Sequence, residues 1–262
     1  MADYGQNRYS VNNPNHFRRN LFVIAHVKNI HEIVEGARDV LSEKGIFAVE
    51  FHHAKEILKG MQYDSVYHEH LFYFNLLTLK NFFLKKGFYL CHAFRSPISG
   101  GAIVALFSKF PRDLSVSVKK LLFEERKEKI NTLSKWKMFA KKTKLHKFTF
   151  LKTVKKFLDK KYRIIAYGAS ARSSTFLNYS GINNKNIKYI IDKNPLKINK
   201  YTPGSKIKII SFDQFKKRIS EFNTLLLLAW NFKNEIIKDL KMIGFKGIIL
   251  TPFPKKINFE KI

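Results

Sequence analysis

The chain has 262 residues, 45% hydrophobic and 15% aromatic, with 49 Lys+Arg against 20 Asp+Glu and a formal net charge of +29. That is too apolar for a disordered tail and long enough for one large domain or two of ordinary size. A lone cysteine, Cys91, excludes a disulfide framework and any multi-thiolate metal site within the chain.

The longest apolar runs, such as residues 225–230, fall far short of the roughly 20 residues that span a bilayer. No basic segment followed by an apolar one opens the chain, so the expected localisation is cytoplasmic, with no membrane partner. Residues 1–114 carry a net charge of +4 and residues 115–262 a net charge of +25. Of the basic residues 39 are Lys and only 10 are Arg, and no zinc finger, RNP pattern or Arg cluster appears. The charge therefore disfavours sequence-specific nucleic-acid reading and suits an anionic small molecule equally well.

In chain order, residues 1–20 read as a polar segment with a turn at 12–15, and residues 21–24 as the end of a strand. Asn29 is a plausible N-cap for a helix from 30 to about 42, whose apolar positions Ile33, Val34, Ala37, Val40 and Leu41 keep helical spacing. A buried strand follows at 46–51, then a polar loop at 61–74 and a helix at 76–86 stopped by Gly87. Strands at 88–94 and 102–107, separated by a turn, predict an antiparallel hairpin. Residues 113–160 are Lys-rich and helical. Beyond them strands are expected at 163–167, 188–191, 224–229 and 247–250, with helices at about 173–179, 212–220 and 232–243. That alternation argues a parallel, doubly wound sheet.

Two stretches carry chemistry. In Tyr67-His68-Glu69-His70 an imidazole stands within three residues of a phenol and a carboxylate, the groups an acid–base site needs. Metal ligation by His68 and His70 with Glu69 lacks a further ligand at useful spacing, so no metal is assigned. The alternative is a surface loop of ordinary polar residues. His26, between the run at 21–24 and the first helix, is a weaker candidate.

The second stretch is Gly168-Ala-Ser170-Ala-Arg172, between a strand and a helix, where small residues and a helix N-terminus suit a phosphate. Asp192, 24 residues after Gly168, stands where a ribose-binding acid would sit, or it caps a turn. Gly168, Ser170, Arg172 and Asp192 are thus the candidate nucleotide-binding residues.

Taken together, several ordered stretches resemble SAM-dependent C-methyltransferases of nucleotide-linked deoxysugars. They include Ala25-His26-Val27, Glu35-Gly36, Asp64-Ser-Val-Tyr67-His68-Glu69-His70-Leu71 and Gly168-Ala-Ser-Ala-Arg172. Further on come Ile191-Asp192-Lys-Asn-Pro195, Thr202-Pro203-Gly204, Leu228-Ala229-Trp230-Asn231 and Pro252-Phe-Pro254.

The resemblance implies an α/β chain with a partial class I methyltransferase-type sheet followed by a second Rossmann-like parallel α/β domain. Its boundaries are a polar segment 1–20, a methyltransferase-like half with the catalytic loop at 21–112, a helical connector at 113–160 and the Rossmann-like domain at 161–262. It implies S-adenosyl-L-methionine as methyl donor and a keto sugar on a nucleoside diphosphate as substrate. His70 would be the general base, supported by Tyr67, Glu69 and His26.

The family's Cys-rich zinc module, the Gly-rich half of its SAM site and its His-Gly-Gly-Ser stretch, here Ser99-Gly100-Gly101-Ala102, have no match. The expectation is a C-terminal portion of such an enzyme, either truncated and without activity alone or partnered by a separately encoded N-terminal half or a second copy. Two other readings stay open: a non-catalytic nucleotide- or partner-binding module, and a basic nucleic-acid-binding protein.

Overall fold

The computed structural model describes residues 18–21 and 23–262, so the turn expected at 12–15 lies outside the described residues. Two sheets organise the chain. The first has four strands, β1 (Arg18–Leu21), β2 (Phe47–His52), β3 (Tyr89–Ser96) and β4 (Ala102–Ser108), in the order β1-β2-β4-β3. Strand β1 runs parallel to β2, and the other two pairings are antiparallel, β3 and β4 forming the expected hairpin.

Period-two alternation decides what this sheet buries. Phe47, Val49 and Phe51 of β2 and Ile103, Ala105 and Phe107 of β4 pack with Val34, Leu79, Phe83, Val118 and Leu121. Those partners come from α1 (Ile30–Val40), α3 (Leu76–Leu84) and α4 (Val116–Lys127). The Phe83 and Phe107 rings stack with centroids 4.2 Å apart.

Asn29 caps α1, accepting the His31 N–H at 3.2 Å. The helix stops at Val40, earlier than its apolar spacing predicts, because Leu41 turns extended and buries its side chain. The run 21–24 also differs from expectation: the strand ends at Leu21, and residues 23–25 form a 3-10 turn. A short helix, α2 (Ala54–Gly60), follows β2 directly; no side chain caps it, which leaves its start without a sequence signal.

The second sheet has six strands in the order β10-β9-β8-β5-β6-β7. They are β5 (Ile164–Tyr167), β6 (Tyr189–Ile191), β7 (Lys208–Ile210), β8 (Thr224–Leu227), β9 (Ile248–Thr251) and β10 (Asn258–Lys261). All are parallel except β10, which pairs antiparallel with β9. Strands β7 and β10 are not among those expected from the sequence; β7 has only three residues, and β10 sets a single Phe among polar residues.

One face of this sheet packs on α5 (Leu133–Asp159) and α6 (Ala171–Ser180) through Phe150, Val154, Phe176 and Leu177. The other packs on α7 (Phe212–Lys216) and α8 (Lys233–Met242) through Phe215, Ile236 and Leu240. The strand expected to reach residue 229 leaves the sheet after Leu227, because the Leu228 and Ala229 N–H groups both turn to the Tyr167 carbonyl. The chain is a mixed α/β fold with a parallel-rich second sheet. Among the described residues no helix is long and apolar enough to cross a membrane.

Candidate active site

The loop after α2 begins at Met61, whose φ of 55° lies in the left-handed region and turns the chain out of the helix. A 3-10 turn, Tyr63–Ser65, then seats Asp64, which is 2% exposed. A buried carboxylate needs partners, and Asp64 finds them in the second half of the chain. Arg172 Nε and Nη2 donate to its two oxygens at 3.0 Å each, and Trp230 Nε1 donates at 2.9 Å. The guanidinium lies 4.9 Å from the Trp230 ring centroid and also donates to the Ser99 carbonyl at 3.0 Å.

Beside this knot stands His70. The Leu71 N–H bonds to the Ala25 carbonyl at 2.8 Å, which ties the loop to the 23–25 turn. That brings the His26 ring edge-on to His70, with centroids 4.8 Å apart. His70 Nδ1 lies 3.0 Å from the Ser65 carbonyl and Nε2 lies 3.0 Å from the Tyr67 hydroxyl. A carbonyl only accepts, so Nδ1 carries the hydrogen and, in the neutral ring, Nε2 offers a lone pair to which Tyr67 donates. Burial, then the charge of His26, holds His70 well below the ordinary imidazole value, down to about 4. At neutral pH the ring is an uncharged acceptor.

His52 and Gln62, which the sequence reading did not single out, brace the same corner. Gln62 Nε2 donates to the Gly100 carbonyl at 2.8 Å, so its Oε1 is an acceptor and takes the His52 Nε2–H at 2.8 Å. Burial, then Arg172, pushes His52 down to about 3. Both imidazoles therefore take protons more readily in the unfolded chain. Stability should be fully present above about pH 6.5 and fall as the pH drops from there toward 4. A urea-unfolding midpoint that stays flat or rises between pH 6.5 and 5 would contradict this, and His52→Gln should make the fall shallower.

The other sequence candidates lie as follows. Glu69 is exposed and faces His68 at 3.9 Å, reaching His70 only through its charge. Ser170 caps α6, its hydroxyl accepting the Ser173 N–H at 3.2 Å. Asp192 accepts the Ala169 N–H and the Asn194 N–H at 2.8 Å each, with Lys197 Nζ 3.5 Å away. It thus joins the ends of β5 and β6 while closing a turn.

Gly168 sits at φ +97°, and a Cβ there would stand 2.6 Å from the Ala229 Cβ. This closes the sheet's switch point between β5 and β8. Gly168→Ala should lower the unfolding free energy by about 1–3 kcal/mol through strain and overpacking, read as the shift in urea midpoint.

S-adenosyl-L-methionine would need a carboxylate or similar acceptors for its ribose hydroxyls and donors for its carboxylate. The polar groups close to His70 include His26, Tyr67, Tyr73, the Ser65 carbonyl, His52 and Arg172, but the Arg172 donors are taken by Asp64 and the Ser99 carbonyl, and the nearby carboxylate of Glu69 is exposed and faces His68. The described residues around the imidazole do not fit that donor by themselves. Among the described residues no cluster of His, Cys, Asp and Glu could hold a metal ion.

Comparison with known proteins brings in the remaining facts. The model of the C-methyltransferase C-terminal domain matches residues 97–254, a span that holds Gly168, Ser170, Arg172, Asp192 and Trp230 but begins after His70. Over 241 residues, 90% of the chain, the sequence is 31% identical to the C-methyltransferase NovU of Streptomyces niveus. The chain spans 57% of the length of that relative.

Proposed function

The chain belongs to the C-methyltransferase C-terminal domain family, and from that premise we propose that it acts on a keto sugar carried by a nucleoside diphosphate, with His70 as the base. The observation that carries this reading is the state of the His70 ring. It is partly buried and neutral, its Nδ1–H is tied to the Ser65 carbonyl, and its Nε2 lone pair lies beside the Tyr67 hydroxyl.

In this reading the Tyr67 O–H turns off Nε2 as the substrate enters, and the freed Nε2 lone pair takes the proton from the carbon next to the ketone. The C–H electron pair forms the new carbon–carbon double bond, and the carbonyl π pair moves onto oxygen as an enolate. The Tyr67 O–H, 3.0 Å from Nε2 in the resting ring, is the hydroxyl this reading assigns to that developing charge. The ketone is required because a carbanion without it has nowhere to place its charge. The enolate carbon is the atom on which a C-methylation would build.

The nucleoside diphosphate is read as lying against the C-terminal unit. Residues 115–262 hold a net charge of +25, and the N-terminus of α6 behind Gly168 and Ser170 presents backbone N–H groups. Asp192 and Lys197 keep that loop in shape.

The test needs no methyl donor. The chain is incubated in deuterium oxide with a thymidine-diphosphate keto sugar, and deuterium entering the carbon beside the ketone is followed by NMR. Exchange faster than in buffer alone supports the reading. Exchange at the buffer rate overturns it.

A further inference from the structure

The hydrogen bonds that orient His70 lead away from it, across the chain, into the second α/β unit. Its Nδ1–H bonds to the Ser65 carbonyl, and the Tyr73 hydroxyl reaches the same oxygen at 3.5 Å. Ser65 closes the 3-10 turn that holds Asp64, and its hydroxyl donates to the Gln62 carbonyl at 2.5 Å. This turn packs against α6. Asp64 is fixed from the far side by Arg172, in the first turn of α6, and by Trp230, in the turn after β8.

Each link constrains the next. A bidentate guanidinium fixes the plane of the carboxylate as well as its position. Trp230 adds a third bond and stacks on the guanidinium, so neither partner of the pair can swing. The Asp64 side chain is joined through one peptide unit to the carbonyl that decides which ring nitrogen of His70 is protonated.

We propose that Arg172 and Trp230 are positioning residues for His70: through Asp64 and the Ser65 carbonyl, the second α/β unit sets the tautomer and direction of the imidazole in the first. The role as base rests on the function proposed above, but the tautomer does not. The two ideas can therefore fail separately.

The experiment uses the full chain labelled with 15N-histidine. Long-range 1H–15N correlation at pH 7 reads the His70 tautomer, and deuterium exchange into the thymidine-diphosphate keto sugar gives kcat and KM. Wild type should show the Nδ1–H form. Asp64→Asn, which keeps the shape but loses the charge, and Trp230→Phe, which keeps the ring but loses the N–H, should each lower the ratio of Nδ1–H to Nε2–H about tenfold or more. The exchange kcat should fall in step, with KM within about twofold of wild type. Arg172→Lys should retain more of the Nδ1–H form than Arg172→Met.

If Asp64→Asn does not fold, Trp230→Phe still decides the matter. A folded Trp230→Phe with an unchanged tautomer and unchanged kcat overturns the relay. So does a raised KM for Arg172→Lys with the tautomer untouched, which would assign the guanidinium to substrate. If the tautomer shifts while wild type shows no exchange, the relay stands and the proposed reaction falls.

Discussion

His70→Ala should slow deuterium exchange beside the substrate ketone by about 10²–10⁴-fold, the range that general-base catalysis ordinarily supplies. The expectation follows from the ring's surroundings. Within the described contacts its nitrogens meet one carbonyl and one hydroxyl, and burial keeps it uncharged near neutral pH. Removing it takes away the acceptor while leaving Asp64, Arg172 and Trp230 in place. Loss of activity should therefore come with a urea midpoint near that of wild type. Tyr67→Phe should retain the base and lose less, roughly tenfold, because the ring keeps its Nδ1–H bond to the Ser65 carbonyl while the hydroxyl that serves Nε2 and the developing enolate is missing. Below about pH 4 the wild-type rate should fall as Nε2 takes up a proton. An alanine variant that exchanges deuterium as fast as wild type would remove His70 from the chemistry.

The largest stability effect is expected away from that ring, at Glu125. Its side chain is fully buried on α4 and accepts three hydrogen bonds: from His53 Nε2 at 2.7 Å, from the Leu76 N–H at 2.7 Å and from the Leu77 N–H at 3.0 Å. The first two N–H groups of α3 thus find their acceptor on another helix, while Asn75 serves the third, from Thr78, at 2.8 Å. Glu125→Ala would leave a buried imidazole N–H and two buried backbone donors without partners. The cost is put at about 3–5 kcal/mol, from three buried donors that would each lose their acceptor at about 1–3 kcal/mol. Glu125→Gln keeps one acceptor oxygen and should cost clearly less. Urea denaturation of the two variants checks both values, and a loss under about 1 kcal/mol for the alanine variant would show that water replaces the carboxylate. Because α3 directly follows the 61–74 loop, the alanine variant should also disturb His70.

Local signals were legible wherever the physics is local. Asn29 caps α1 within three residues of itself and marks its start; Ser170 and Ser211 cap α6 and α7 in the same way, though the sequence reading takes neither as a cap. Apolar alternation and short apolar runs mark β2, β4, β5, β8 and β9, and Gly87 follows α3 with φ at +75°. The elements that escaped notice are short or uncapped: α2 has seven residues and no side-chain cap, and β7 has three residues. Strand β7 has two Ile that favour a strand, but at three residues it is held by β6 and by the bridge from Tyr201 to Lys208.

The sequence by itself determined that this is an α/β chain, where the turn and helix punctuation falls, and which loop holds a phenol, a carboxylate and an imidazole within four residues. It also carried the ordered motifs by which the family is known. Only the tertiary structure decided what those groups meet. Asp64 and Arg172 are 108 residues apart and Asp64 and Trp230 are 166 apart, yet they share one buried carboxylate. The ring of His70 stands beside His26 because a loop docks on a turn 46 residues earlier. Caps and periodicity act over a few residues and are written locally. A buried charge must find its partner wherever packing brings one, and that partner is set by how two separately folded layers meet.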